Sequence, residues 1–192
     1  MANWEGSLER SPLEVEYRTR GSLLAKISTV LGRQVYIPES IHIVDSYLYF
    51  QRGTRDFRRV RKARKFKGEG PYDPDDSEDT YQEQAKIYFY GSHPLEIKRR
   101  ISREEYERIL EAHPPAVVVQ GTRRELWIVG DEPKVEKAED GLHVCFDRPE
   151  GLGDWTEFEI EIYGLNTMSP KERAEKESQA KERIFEFAKG WD

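Results

Sequence analysis

The sequence has only one cysteine, Cys145. That excludes an internal disulfide and a metal site built from several cysteines, and it fits a reducing compartment. Long apolar runs are missing too: "AVVV" (116–119) is typical of the longest, against the roughly 20 residues needed to cross a bilayer. The opening "MANWEGSLERS" holds no hydrophobic signal core. A cytoplasmic chain without a membrane role is the expectation. Excess positive charge is absent as well. With 31 basic and 37 acidic residues the net charge is -6, so nothing draws nucleic acid to the molecule as a whole. No internal repeat and no clear domain boundary interrupts the 192 residues, which are read as one domain, 1–192. Disorder is excluded by eight Phe, ten Tyr and four Trp, enough large apolar surface to build a core.

What the sequence does have is rows of acids. "TEFEIEIYG" (156–164) places Glu157, Glu159 and Glu161 at every second position, with Phe158, Ile160 and Ile162 between them. Successive strand side chains point to opposite faces, so this is a half-buried strand. "LEVEYR" (13–18) does the same with Glu14, Glu16 and Arg18 against Leu13, Val15 and Tyr17. Further strands are read at "IHIVDSYLYF" (41–50), "AKIYFYG" (85–91) and "GLHVCFD" (141–147), and one or two within "AVVVQGTRRELWIVG". Helices are predicted over "GSLLAKISTVLG", stopped by Gly32, and over "SREEYERIL" with Ser102 as N-cap and Glu105 three residues on. A last helix over about 169–191 opens with Ser169, Pro170 and Glu172, and Ile184, Phe187, Ala188 and Trp191 form its apolar side.

Residues 52–67 carry nine Arg or Lys and one acid, and 69–83 carry seven acids and no base. The junction, about 62–83, is read as a charged, solvated loop. His143 and Cys145 are two apart and merely share a strand face, so no catalytic dyad is read from them, and His42 is likewise read as a strand residue. Asp147 and Asp154 are read as turn residues.

Many strands with few helices predict an α+β fold, an antiparallel sheet or barrel with helices packed outside. If Val15 and Ile160 pack on helices, Glu14, Glu16, Glu157 and Glu159 face the other way. A dry interior would not hold so many acids, because each unpaired buried charge costs several kcal/mol or loses its ionisation. That side must be wet, metal-filled or matched by Arg and Lys.

"EVEYR", "DSYLYF", "FRRVR" and "FDRPEGLGDWTEFEIE", in this order, resemble the CYTH superfamily of triphosphate tunnel metalloenzymes. Its members include class IV adenylate cyclases, thiamine triphosphatases and inorganic triphosphatases. The resemblance runs from about residue 13 to 163, and "EGLGDWTEFEIE" is its most specific part. It implies a closed antiparallel β-barrel whose charged tunnel binds a triphosphate with Mg²⁺ or Mn²⁺. By the same resemblance Glu14, Glu16, Glu157 and Glu159 bind metal, and Glu14, Glu16 and Arg18 are catalytic. It also implies phosphate contacts from Arg18, Arg59, Arg61 and Arg124, with Arg123 beside the last, and Lys86 is read as the cation that compensates on the strand of position 90. Glu161 extends the row beyond the motif. Arg18, Tyr90 and Thr122 stand where the family typically has Lys, and Lys86 shares a strand face with position 90.

The expected function is metal-dependent hydrolysis of a phosphoanhydride in a small-molecule triphosphate. Two alternatives stand beside it: a class IV type cyclase converting ATP to cyclic AMP and pyrophosphate, and a non-catalytic binder of polyphosphate, nucleotide or RNA 5′ ends. The basic run 52–67 is the one feature offering contact to nucleic acid, and a homodimer is compatible with the sequence.

Overall fold

The computed structural model describes residues 13–50, 56–67, 79–87, 95–138, 141–164 and 167–189. Its elements are β1 (Leu13–Arg20), α1 (Leu24–Val30), β2 (Glu39–Phe50), β3 (Phe57–Lys67), β4 (Thr80–Ile87) and β5 (Leu95–Arg100). Then come α2 (Arg103–Ala112), β6 (Val117–Val129), β7 (Glu132–Lys134), β8 (Leu142–Pro149), β9 (Trp155–Ile162) and α3 (Pro170–Lys189). The strands join in the order β1-β9-β8-β6-β2-β3-β4-β5, with β7 paired to β6 alone. The fold is therefore α+β, as the strand-rich pattern predicts. The expected closure is corrected: among the described residues no ladder joins β5 to β1, so the sheet is open.

The chain forms two compact units. The larger comprises Pro12–Val44, Ala63–Asp79 and Val119–Asp192. Its core joins Leu13 and Val15 of β1, Leu126 and Ile128 of β6, Val144 and Phe146 of β8, and Phe158 and Ile162 of β9 to Ile27 of α1 and Ile184 of α3. Each such side chain, fully buried, is worth roughly 1.5–3 kcal/mol. These are the residues that alternate with the acids, so one sheet face is dry and the opposite face carries charge. α3 begins with a capping box: the Glu172 amide donates to Ser169 Oγ at 3.2 Å and the Ser169 amide to Glu172 Oε2 at 2.8 Å. In the turn from β8 to β9, Gly151 and Gly153 adopt φ of 73° and 77°, conformations that a Cβ disfavours.

The smaller unit gathers Asp45–Lys62 and Thr80–Val118. Val60, Ile101, Tyr106 and Ile109 form its core, with Leu48, Tyr81 and Leu110 against them. Ser102 caps α2 by accepting the Glu105 amide at 3.1 Å. Residues 62–67 and 80–83, expected within the charged loop, are strand instead. Pairing explains this. Arg58 and Arg99 each donate to Glu83 at 2.7 Å, and in the larger unit Arg64 meets Asp79 at 2.6 Å. Charges that read as solvent-seeking in sequence are satisfied across neighbouring strands. Tyr90 and Trp191 lie outside the described residues.

Candidate functional site

The larger unit's polar face is set by register. Glu14 lies opposite Glu161, Glu16 opposite Glu159, and Arg18 opposite Glu157. On the next strand His143 faces Glu159 and Cys145 faces Glu157. Beyond them Arg123 faces Asp147, Glu125 faces Cys145, and Trp127 faces His143. Four strands thus place their alternate residues on one surface, opposite the core. Glu14, Glu16, Glu157 and Glu159, read as one set from alternation, all belong to it.

Within that surface the acids divide into two groups. Glu157, 5% exposed, accepts Arg18 Nε at 2.7 Å and Arg123 Nη2 at 3.2 Å. Arg123 in turn makes two 2.7 Å bonds to the Asp147 carboxylate. Burial works to raise the Glu157 carboxyl, but Arg123 and Arg18 outweigh it and hold it below the ordinary range. Burial likewise disfavours charge on Arg123, and its anionic neighbours, Asp147 and Glu157 among them, overcome this and raise its pKa well above normal. Arg18 is raised in the same way, with burial opposing and Glu157 and then Glu16 prevailing. Its side chain is 58% exposed, against 17% for Arg123, so it is the one that reaches well into solvent.

The second group is Glu14, Glu159 and Glu161, each offering one carboxylate oxygen within 4.8 Å of the others. Oxygen-only donors at this spacing suit a hard divalent cation such as Mg²⁺ or Mn²⁺, which takes one or two carboxylates and completes its shell with water and phosphate. Glu161, placed beyond the motif by sequence, is part of this triplet, and it also meets Lys137 Nζ at 2.7 Å and the Tyr163 hydroxyl. Glu16 stands aside from the triplet, 3.5 Å from Arg18.

The neighbouring arginines 123 and 124 point to opposite faces. Arg123 joins the glutamate surface, whereas Arg124 lines a small cavity with Thr122, Phe146, Arg148 and Asp154. The in-register pair on the acidic face is therefore Gly121 and Arg123 rather than Thr122 and Arg124. Asp147, read as a turn residue, is a β8 residue that fixes Arg123. Asp154 sits before β9 and accepts Arg148 Nε at 2.7 Å.

Arg59 and Arg61 belong to the smaller unit, where both converge on Asp45. Arg59 Nη1 reaches it at 2.7 Å, and Arg61 grips it through two bonds of 2.7 and 2.8 Å. Arg59 also donates to Gln84 at 2.7 Å and lies over the Phe57 and Tyr47 rings. Burial and then Arg61 lower its pKa, with Asp45 opposing. Lys86 is buried on β4 opposite Glu96. Asp45, Gln84 and Glu96 were missed from sequence. Asp45 sits in the "DSYLYF" stretch, but its role follows only from the pairing of distant strands.

No family profile matches the chain, and no curated protein does. Solved structures do resemble it. The PH1819 protein of Pyrococcus horikoshii is 19% identical with a TM-score of 0.58, over 91% of this chain and 89% of that one. The PH1012 protein of the same organism is 14% identical with a TM-score of 0.56, over 93% and 89%. A Vibrio parahaemolyticus protein described as a candidate adenylate cyclase is 13% identical with a TM-score of 0.55, over 93% and 90%. Identities this low establish a shared fold, and the fold of this chain is one that these three proteins have in common.

Proposed function

We propose that this protein is a divalent-metal-dependent enzyme acting on a triphosphate, and that it hydrolyses a phosphoanhydride bond. The observation that carries the reading is the Glu14–Glu159–Glu161 triplet on the same sheet face as Arg18 and Arg123. Anionic ligands for a hard cation lie beside cationic groups for phosphate. The family resemblance of the sequence and the candidate adenylate cyclase among the fold neighbours support it.

In this reading Glu14, Glu159 and Glu161 hold Mg²⁺ or Mn²⁺, which when bound supplies charge stabilisation to the phosphoryl oxygens. Arg18, with its exposed guanidinium, turns from Glu157 to donate to phosphate oxygens. Asp147, Arg123 and Glu157 act as a chain of buried and half-buried partners that orients it. Glu16, beside Arg18, is the carboxylate that orients water. Arg59 and Arg61 are assigned to phosphate by the resemblance alone.

A cyclase reaction on ATP is the second reading, favoured by the Vibrio neighbour; the same charged groups would then serve attack of the ribose hydroxyl on the α-phosphate. Incubation with tripolyphosphate or ATP plus Mg²⁺ or Mn²⁺ separates the outcomes. Orthophosphate supports hydrolysis, and cyclic AMP with pyrophosphate supports cyclisation. Bound but unchanged ligand would replace both with a non-catalytic binder.

A further inference from the structure

We propose that Glu125, His143 and Cys145 form a second cation site, selective for zinc, on the sheet face that carries the glutamate triplet. It is independent of the triphosphate reading. Their ligand atoms lie within 4.8 Å of one another. Cys145 Sγ is 3.3 Å from His143 Nε2, which is 4.0 Å from Glu125 Oε1. Zinc bonds of about 2.0–2.3 Å set tetrahedral ligands roughly 3.3–3.8 Å apart, so small side-chain adjustments bring all three onto one ion.

The scaffold is rigid and the ligands are aimed. Glu125 and Cys145 are register partners on β6 and β8, and His143 is two residues along on the same face. Trp127 stacks on the His143 ring, centroids 4.2 Å apart and 7° from parallel, which fixes the imidazole plane. Behind it, His143 Nδ1 lies 3.9 Å from Glu159 Oε2, too long for a hydrogen bond, so the Trp127 stack is what holds the ring. Cys145 is fully buried, while the side chains of His143 and Glu125 are 15% and 26% exposed, leaving one side open for a water as fourth ligand. The charge of Arg123 close by is already matched by Asp147 and Glu157.

The chemistry separates the two sites. A thiolate selects zinc over magnesium or manganese, whereas three carboxylates favour the harder ions. Binding converts the Cys145 thiol to thiolate and releases its proton to solvent. A thiolate, a carboxylate and a neutral imidazole then leave the zinc complex with no net charge.

Cobalt(II) added to the metal-stripped full chain is the direct probe. The expected result is one equivalent bound with a thiolate-to-cobalt charge-transfer band and intense tetrahedral d–d bands, displaced by zinc but not by excess Mg²⁺. Cys145→Ser should abolish the charge-transfer band, and His143→Asn should weaken zinc binding more than about 100-fold, each checked by its melting curve. Should Cys145→Ser not fold, the wild-type band and His143→Asn still decide. Absence of the band in folded wild type, or unchanged zinc affinity in His143→Asn, overturns the proposal. Failure to turn over tripolyphosphate would leave the band intact, so the two readings fail separately.

Discussion

Glu157 and Glu159 are two residues apart on one strand face, yet their conversion to glutamine should have opposite consequences. Glu157→Gln removes the anion that Arg18 and Arg123 share and turns an amide toward two guanidinium groups. Breaking a buried ion pair from one side costs about 3–5 kcal/mol. Two features reduce this: Arg123 keeps both bonds to Asp147, and Arg18, 58% exposed, can be rehydrated. A loss of about 2–3 kcal/mol remains, near the value of hydrogen bonds to charged groups. At this chain length that lowers the melting temperature by about 5–10 °C. Glu159→Gln instead relieves repulsion with Glu14 and Glu161, so stability should stay within about 0.5 kcal/mol of wild type. Its cost should appear in Mn²⁺ affinity, down by at least about tenfold, and in turnover, because ion stabilisation of phosphoryl charge is worth several kcal/mol of barrier. Urea unfolding and Mn²⁺ titration followed by electron paramagnetic resonance read the two effects separately. If Glu157→Gln melts like wild type, or weakens Mn²⁺ as much as Glu159→Gln does, the division of the acids into two groups is refuted.

Three further outcomes are expected. The Glu157 carboxyl is depressed in the fold, so its stabilisation is present above a carboxyl's ordinary value of 4.5 and is lost as pH falls through the folded value. The stability gap between wild type and Glu157→Gln should therefore close in acid, and a gap constant from pH 7 to pH ~3 would contradict the assignment. Asp45→Asn leaves Arg59 and Arg61 crowded without their shared anion and should destabilise by about 3 kcal/mol in urea unfolding; a change under about 0.5 kcal/mol would show the cluster to be energetically idle. Gly121→Ala places a Cβ 2.4 Å from the Arg148 carbonyl oxygen and 2.7 Å from Pro149 Cα. Those are backbone atoms that cannot rotate away, so the β6–β8 ladder must part there, with faster amide exchange nearby and a lower melting temperature.

Much of the fold can be read in the sequence wherever hydrophobic alternation is clean. β1 and β9 follow from their acid–apolar rhythm, and α2 and α3 from Ser102 and Ser169 with a glutamate three residues on. The alternation also places Glu14, Glu16, Glu157 and Glu159 opposite the core. It does not say which strand lies alongside, and that is where the site's chemistry is decided. Glu157 is tied to Arg18 by a register spanning most of the chain, and Arg123 is separated from Arg124 only by the parity of β6. β3 was obscured because "RRVRKARKFK" has charged residues on both faces, and their partners Asp45, Glu83 and Asp79 come from other segments. Parity alone would have put Asp147 with His143 and Cys145, a signal masked by the turn that follows it.

The pairing of β1 with β9, Leu13 with Ile162, has a consequence for how the molecule comes into being. Contacts so distant in sequence make for slow, late closure, because nearly the whole chain must be ordered before they form. During synthesis the first strand emerges long before its partner exists. Leu13, Val15 and Tyr17 then wait on an unpaired edge, while Glu14, Glu16 and Arg18 interrupt every apolar position. Those charges serve the waiting strand as well as the finished surface, since in a parallel, in-register pairing of two nascent chains each would face its own like charge.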